Sequence, residues 1–306
     1  MNHQDRSNQL LMGLSSQLPN LDLLPVPQSV FHYTDSAGLL GIMSSGRLWA
    51  TDYRFLNDSS EIRYTYGLAA ELARGSLTEG LSHLGRSFFE QASSSSPPYT
   101  GCPYYLCCFS EHGNSLSQWR AYGLRQGFAV ECPGDLSTTR GSHASRQNPG
   151  ITLLRVEYVV ARQADYILAL QGAMLTLFED PHFANYANSA DVLRHTMPFY
   201  WAQLERASYR FKHPAFEVEK EWRLVSWGDV HDEKYRAAQT LTPFIELRLF
   251  SGRVEHPEDK LPVHSVRQGP GALGDATMVA LDRFLSRSGY PETRCRRLHC
   301  NTPARV

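Results

Sequence analysis

The amino-acid sequence predicts an α+β fold, in which helices are inserted between the strands of a sheet. Short runs rich in aromatic and β-branched residues, which are typical of strands, occur towards both ends of the chain. Segments with apolar residues at helical spacing occupy its middle. Strands and helices do not alternate regularly, which argues against the βαβ order of a parallel sheet.

Individual elements follow from the same patterns. Strands are expected over 29–34, 47–51, 104–110, 126–132, 216–227, 242–250, 263–268 and 294–300. Helices are expected over 37–45, 58–74, 79–90, 115–123, 165–180, 189–209 and 275–287. The first helix has clear end signals, since Asp35 or Ser36 can cap its start and Gly46 can end it.

Composition and charge narrow the classes of function. The chain has 306 residues, with 30 Lys and Arg against 31 Asp and Glu, so its formal net charge is −1. This balance excludes the broad positive field of a protein that binds nucleic acid or anionic lipid over its surface. We therefore expect a partner that is small or is recognised locally.

Residues 1–27 are expected to form a flexible N-terminal leader, and residues 28–306 a single α+β domain. No stretch reaches membrane-spanning length, so no membrane partner is expected. The six cysteines show neither a disulfide framework nor the two-residue spacing common in zinc sites. We expect them to be buried thiols in a cytoplasmic protein, with no metal.

The segment FEVEKEWRLV places acidic residues at alternate positions. On a single strand, Glu217, Glu219 and Glu221 share one face, with neighbours about 6.5–7 Å apart. In a cleft their repulsion would raise a pKa or attract a cation, whereas on a solvated edge they would only discourage aggregation. Lys212 and Arg223 flank the row and supply positive charge, either for a phosphate or for the acids themselves.

Two further candidates come from the ends and faces of the expected strands. Alternation puts His32 on the face of its strand opposite Phe31 and Tyr33, where it is either a structural histidine or part of a site. Ser110 closes an apolar strand, where its hydroxyl either binds a substrate or forms a turn.

Five segments then carry a resemblance: FHYTDSAGLLGIMSSGRLWAT, FLNDSSE, LCCFSEHGNSLSQWRAYGLRQGFAVEC, FKHPAFEVEKEWRLV and VRQGPG. In this order, across roughly residues 30 to 303, they resemble an uncharacterised bacterial family, domain of unknown function 2971. The order of a His, a hydroxyl residue and a Glu-x-Glu is in turn similar to that of the ADP-ribosyltransferase fold. That resemblance implies a mixed, mostly antiparallel split sheet at the core.

The resemblance also implies roles at an NAD site. His32 would seat the nicotinamide-side ribose, Ser110 would support it, and Glu221 would drive cleavage of the N-glycosidic bond. Glu219 would orient the acceptor or accept its proton. The remaining residues implied in NAD binding are Tyr33, Trp119 or Tyr122 for stacking, Arg223 or Lys212 for the pyrophosphate, and Thr34 and Asn57. The histidine-first class places a Tyr where Ser110 stands, so Tyr104 and Tyr105 remain rivals for that position.

The implied function is an NAD-consuming enzyme that transfers ADP-ribose to a protein, a nucleic acid or water. Such an enzyme would serve as a toxin, effector or defence protein, in the bacterial cytoplasm or delivered to another cell by a specialised secretion system. Two alternatives remain open from the sequence. One is a non-catalytic nucleotide- or peptide-binding module, and the other is a metal-dependent hydrolase or nuclease that uses the acidic row.

Overall fold

The computed structural model describes residues 13–14, 18–21, 25–56, 60–94, 104–122, 127–137, 151–179, 189–227, 233–237, 240–251, 260–270 and 274–297. Helices and a large, mostly antiparallel sheet form within these ranges, which confirms the predicted α+β class. The chain passes repeatedly between two compact units. Unit 1 comprises Met1–Leu23, Asp58–Gly101 and Val156–Phe216, and unit 2 comprises Leu24–Asn57, Cys102–Arg155 and Glu217–Val306.

The helices match the expected segments to within a few residues at most ends. They are α1 (Ser36–Ser45), α2 (Ser60–Gly75), α3 (His83–Ala92), α4 (Leu116–Tyr122), α5 (Val160–Phe178), α6 (Ser189–Ser208) and α7 (Gly274–Arg287). The predicted end signals of α1 are confirmed, because the Asp35 side chain accepts from the Gly38 amide and Gly46 ends the helix at φ 67°. No helix in the described ranges is long and apolar enough to cross a membrane.

Unit 1 is helical, and the apolar faces of α2, α3, α5 and α6 form its core. Phe88, Leu170 and Tyr200 lie at its centre and are completely buried. Leu14 is buried in the same core, and Leu18 and Leu21 pack against it. Of these three leucines, all expected in a flexible leader, Leu14 is therefore a core residue and the other two are partly buried against the core.

Unit 2 contains the sheet. Its strands are β1 (Ser29–Thr34), β2 (Leu48–Asp52), β3 (Tyr104–Ser110), β4 (Phe128–Pro133), β5 (Leu136–Ser137), β6 (Ile151–Arg155), β7 (Glu221–Trp227), β8 (Lys234–Ala237), β9 (Leu241–Leu247), β10 (Phe250–Ser251), β11 (Ser265–Gln268) and β12 (Arg294–Arg297). The path β12-β11-β4-β1-β3-β2-β9-β8 is joined by β7, which pairs with β3, and by β6, which pairs with β7. Among these described strands, β11 and β12 pair in parallel and the other pairs are antiparallel.

One face of this sheet carries the core of unit 2. Val30 of β1, Val130 of β4 and Leu224 of β7 project from this face and are fully buried with the apolar residues of α1 and α7. Four cysteines of this unit are free thiols in strands, namely Cys107, Cys108, Cys132 and Cys295. Burial of a sheet face by two helices fixes the register of the strands that carry the candidate residues.

Candidate functional site

Strand β3 pairs with one strand, β7, along one edge and with two strands, β1 and β2, along the other. Along one edge it pairs with β7 over its whole length, from Tyr104 opposite Trp227 to Ser110 opposite Glu221. On the other edge β2 pairs with the start of the strand and β1 pairs with its last residue. In the described residues, 107–109 of β3 have no strand partner on this side, and we call this stretch the divided edge.

His32 of β1 lies at the divided edge. Its Nδ1 is 2.9 Å from the carbonyl oxygen of Cys108 and 3.6 Å from the sulfur of Cys107, and its ring meets Phe109 edge-on at 5.7 Å. A carbonyl can only accept, so Nδ1 carries the proton and Nε2 carries the lone pair. Burial lowers the pKa of His32, which keeps the ring neutral. The divided edge therefore holds a neutral imidazole whose Nε2 can accept a hydrogen bond and receives none from the described residues.

The expected row of three glutamates on one strand is wrong. Residues Pro214–Glu219 form a 3-10 helix, Lys220 adopts a left-handed φ of 44°, and β7 begins only at Glu221. Pro at the first position favours such a turn, and the Lys220 ammonium lies 2.8 Å from the Glu217 carboxylate. Because the chain turns here, the three carboxylates do not line one face.

Breaking the row gives the three acids different surroundings. Glu217 is exposed, and its side chain faces solvent beside Lys220. Glu219 is partly buried and its backbone carbonyl accepts from the Ser110 hydroxyl at 2.7 Å. Glu221 is 5% exposed. In the described part of the chain, no group of three His, Cys, Asp or Glu residues is placed to hold a metal ion.

Glu221 is bound by Arg223, two residues along the same strand. Nε of Arg223 lies 2.8 Å from Oε1 of Glu221, and Nη2 lies 3.0 Å from Oε2. Both side chains are buried, and the Cys108 thiol also hydrogen-bonds the carboxylate. Burial first, and then this negative charge, raise the pKa of Cys108. Arg223 therefore binds the Glu221 carboxylate. The expectation that it binds a pyrophosphate is wrong.

The strand register divides the expected site between two faces. Phe31 is the direct partner of Ser110, and Ser110 is the direct partner of Glu221, so these three side chains share a face. His32 follows Phe31 and projects from the opposite face. The structure therefore brings Ser110, Glu219, Glu221 and Arg223 together and places His32 across β3 from them. Cys108 links the two groups, since its carbonyl contacts His32 and its thiol contacts Glu221.

Tyr33 and Trp119, expected to stack on nicotinamide, instead contact each other. Their rings meet edge-on at 4.6 Å, and both side chains are buried. The Tyr33 hydroxyl donates to the His112 carbonyl at 2.6 Å and accepts from the Ser115 amide at 2.9 Å. These contacts fix the loop after β3 and leave the two rings no open face for stacking in this conformation.

The other expected residues lie in several places. Thr34 ends β1 and is partly buried, and Tyr122 ends α4 and is exposed. Tyr104 and Tyr105, the rivals of Ser110, lie at the opposite end of β3, where the Tyr105 hydroxyl donates to Glu233. Lys212 belongs to unit 1, where its ammonium lies 5.0 Å from the Phe216 ring centroid. Asn57 lies outside the described residues.

One charged residue near the divided edge was not predicted. Arg236 of β8 is partly buried, and its Nη2 donates to the Thr51 hydroxyl at 2.8 Å. Its charge contributes to the lowered pKa of His32. The short segment KYRA contains no acidic or glycine-rich signal that would have singled it out. Its position depends on the pairing of β8 with β9, which brings it beside β2.

Three comparisons with known proteins found no match to this chain. No protein-family model, no curated protein and no solved structure matches the chain.

Proposed function

We propose that this protein consumes NAD, breaks the bond between nicotinamide and ribose, and transfers ADP-ribose to a macromolecular acceptor or to water. The observation that supports this proposal is the arrangement around β3. His32 contacts the backbone of this strand, and Ser110 and Glu221 are direct cross-strand partners at its end. Three residues far apart in the sequence, of the types that this chemistry requires, thus lie on neighbouring strands.

The chemistry follows from the charges of the residues. When the N-glycosidic bond breaks, its electron pair leaves with nicotinamide and positive charge develops on the ribose, as in an oxocarbenium ion. The ionised Glu221 carboxylate stabilises that charge, because electrostatic stabilisation is strongest in a buried site. The acceptor hydroxyl or amine then attacks the sugar carbon and passes its proton to Glu219 or to solvent.

His32 acts on the ribose through hydrogen bonding. Its protonated Nδ1 is held by the Cys108 carbonyl, so Nε2 accepts from a ribose hydroxyl. A neutral ring is required for this role, because an imidazolium has no acceptor. Because His32 and Glu221 project from opposite faces of the sheet, the proposal requires the ribose to lie at the divided edge, where residues 107–109 of β3 have no strand partner among the described residues.

A measurement of nicotinamide release tests the proposal. The purified full chain is incubated with NAD and candidate acceptors, and free nicotinamide is quantified by chromatography. We expect release by the wild type, and a loss of about 10²-fold or more in Glu221→Gln and in His32→Asn. His32→Asn keeps a donor for the Cys108 carbonyl but removes Nε2, since the remaining acceptor, Oδ1, lies closer to the backbone. The matched control is Glu217→Gln, which alters an exposed acid nearby and should retain full activity.

A second candidate is a nucleotide-binding module without catalysis. It is favoured by the 5% exposure of Glu221 and by its two-point contact with Arg223, which are also typical of a structural ion pair. NAD that raises the melting temperature without release of nicotinamide would support this candidate and overturn the enzyme. If NAD neither changes the melting temperature nor loses nicotinamide, both proposals are wrong.

The cellular role follows from the acceptor. ADP-ribosylation of a macromolecule is consistent with a toxin, effector or defence protein that acts in the bacterial cytoplasm or in a cell to which it is delivered. Release of free ADP-ribose would instead assign the protein as an NAD glycohydrolase. The two are separated by asking whether radiolabelled ADP-ribose stays attached to protein or nucleic acid after denaturation.

A further inference from the structure

Arg236 occupies an unusual position for an arginine. Its guanidinium carbon lies 5.9 Å from the ring centroids of both Trp49 and Phe244, and one nitrogen donates to Thr51. These contacts hold the side chain over the strands β2 and β9. The guanidinium is therefore fixed in a partly buried position and does not extend into solvent.

The positive charge of Arg236 is not balanced locally. Among the described residues, no carboxylate forms an ion pair with it, and its Nε is buried without a hydrogen-bond acceptor. The indole Nε1 of neighbouring Trp49 is also buried without an acceptor. The charge of Asp35 acts on Arg236, but its side chain already caps α1. A buried cation and two unpaired donors carry a free-energy cost that an anion rich in acceptors would remove.

The unbalanced charge lies close to the divided edge. Burial is the main cause of the lowered pKa of His32, and the charge of Arg236 lowers it further. The same charge acts on the thiol of Cys107, a residue of β3 whose sulfur lies 3.6 Å from Nδ1 of His32. Thr51, whose hydroxyl accepts from Arg236, is the cross-strand partner of Leu106, the residue that precedes the divided edge, so the guanidinium lies beside this edge.

We propose that Arg236, Thr51 and Trp49 form an anion subsite that binds the phosphate groups of a nucleotide at the divided edge. Guanidinium and indole N–H groups donate to phosphate oxygens, and the fork of arginine suits two oxygens at once. The choice of a nucleotide rests on the proposed function, because NAD contains a pyrophosphate. The subsite takes the place of Arg223 and Lys212, which the sequence had suggested for this role.

Titration calorimetry with the full chain tests the subsite. The probes are inorganic phosphate, inorganic pyrophosphate and ADP-ribose, each with wild type, Arg236→Gln and Trp49→Phe. We expect pyrophosphate and ADP-ribose to bind the wild type, with affinity reduced about tenfold or more in Arg236→Gln and by a smaller factor in Trp49→Phe. Trp49→Phe keeps the aromatic contact and removes only the indole donor.

The matched control is Lys234→Ala, on the same strand. Lys234 is exposed and paired with Glu246 at 2.8 Å, and its removal changes the net charge by the same amount as Arg236→Gln. We expect Lys234→Ala to bind within twofold of wild type. Equal weakening by the two variants would show a diffuse charge effect and overturn the subsite, as would the absence of binding by pyrophosphate and ADP-ribose. Equal affinity for inorganic phosphate and ADP-ribose would overturn the assignment to a nucleotide.

Two outcomes separate this subsite from the proposed NAD chemistry. Binding of ADP-ribose that depends on Arg236, without nicotinamide release by the wild type, supports the subsite and removes the catalytic proposal. Nicotinamide release that is unchanged in Arg236→Gln supports the catalytic proposal and removes the subsite. Circular dichroism and melting curves of each variant confirm that the comparison is made between folded proteins.

Discussion

Arg223 binds both carboxylate oxygens of Glu221 from the same face of β7, at 2.8 and 3.0 Å, with both side chains buried. The two residues are separated by one position, so the alternation of the strand puts them side by side. A planar guanidinium matches a carboxylate at two points, which fixes the rotation of the Glu221 side chain. This pair orients the carboxylate beside Ser110 and Cys108.

Glu221→Gln should destabilise the protein, because it removes the negative charge that binds the buried Arg223 guanidinium. We expect a loss of roughly 3–5 kcal/mol in the free energy of unfolding. The double variant Glu221→Gln with Arg223→Met should recover part of this loss, since it also removes the stranded charge. Urea denaturation of the single and double variants measures the coupling. A double variant less stable than Glu221→Gln alone would contradict the buried pair as the cause.

Acidification should weaken the fold through His32. Its pKa is lower in the folded chain than the ordinary value of 6.5, so the unfolded chain binds the proton more readily as pH falls through 6.5. The free energy of unfolding should therefore decrease with falling pH below that point, with a slope of at most about 1.4 kcal/mol per pH unit from this group. Urea denaturation at pH 7.5, 6.5 and 5.5 should show a shallower dependence for His32→Asn than for wild type. Parallel curves would exclude this histidine as a source of the acid sensitivity.

Lys220 should tolerate glycine and reject a β-branched residue. Its φ of 44° is accessible to glycine without strain, so Lys220→Gly should change the free energy of unfolding by less than about 1 kcal/mol. Lys220→Val should cost about 1–2 kcal/mol, because a branched side chain clashes in this conformation. Lys234→Val, in the extended strand β8, is the control and should be tolerated. Chemical denaturation of the three variants tests the turn, and a Lys220→Val variant as stable as wild type would show that the turn is absent.

Cys107 and Cys108 should resist alkylation in the folded protein. Burial raises the pKa of Cys107 to about 12, and burial together with the Glu221 carboxylate raises that of Cys108. At pH 8 both are protonated thiols and react slowly with iodoacetamide. Peptide mass spectrometry should find them unlabelled until urea is added. In Glu221→Gln, loss of the negative charge should accelerate labelling of Cys108 but not of Cys107, and equal acceleration of both would indicate general unfolding instead.

Much of the fold was predictable because local signals agree with the tertiary structure. The run 29–34 is a strand with the predicted bounds, and α1 begins and ends at the predicted caps, Asp35 and Gly46. The alternation of 216–220 was misleading, because acids at every second position also fit a 3-10 turn followed by a strand. The turn depends on Pro214 and on a contact between Lys220 and Glu217, which the spacing of the acids alone does not show.

The sequence by itself determined the α+β class, most element bounds and the residue types in the candidate site, since these depend on short-range periodicity and capping. The tertiary structure decided which of those residues meet. It paired Ser110 with Glu221 across two strands, committed Arg223 to that carboxylate, and placed His32 on the opposite face. It also brought Arg236, which has no distinctive sequence signal, beside β2. Strand order and register couple residues more than a hundred positions apart, and their burial and charge balance exist only after the chain has folded.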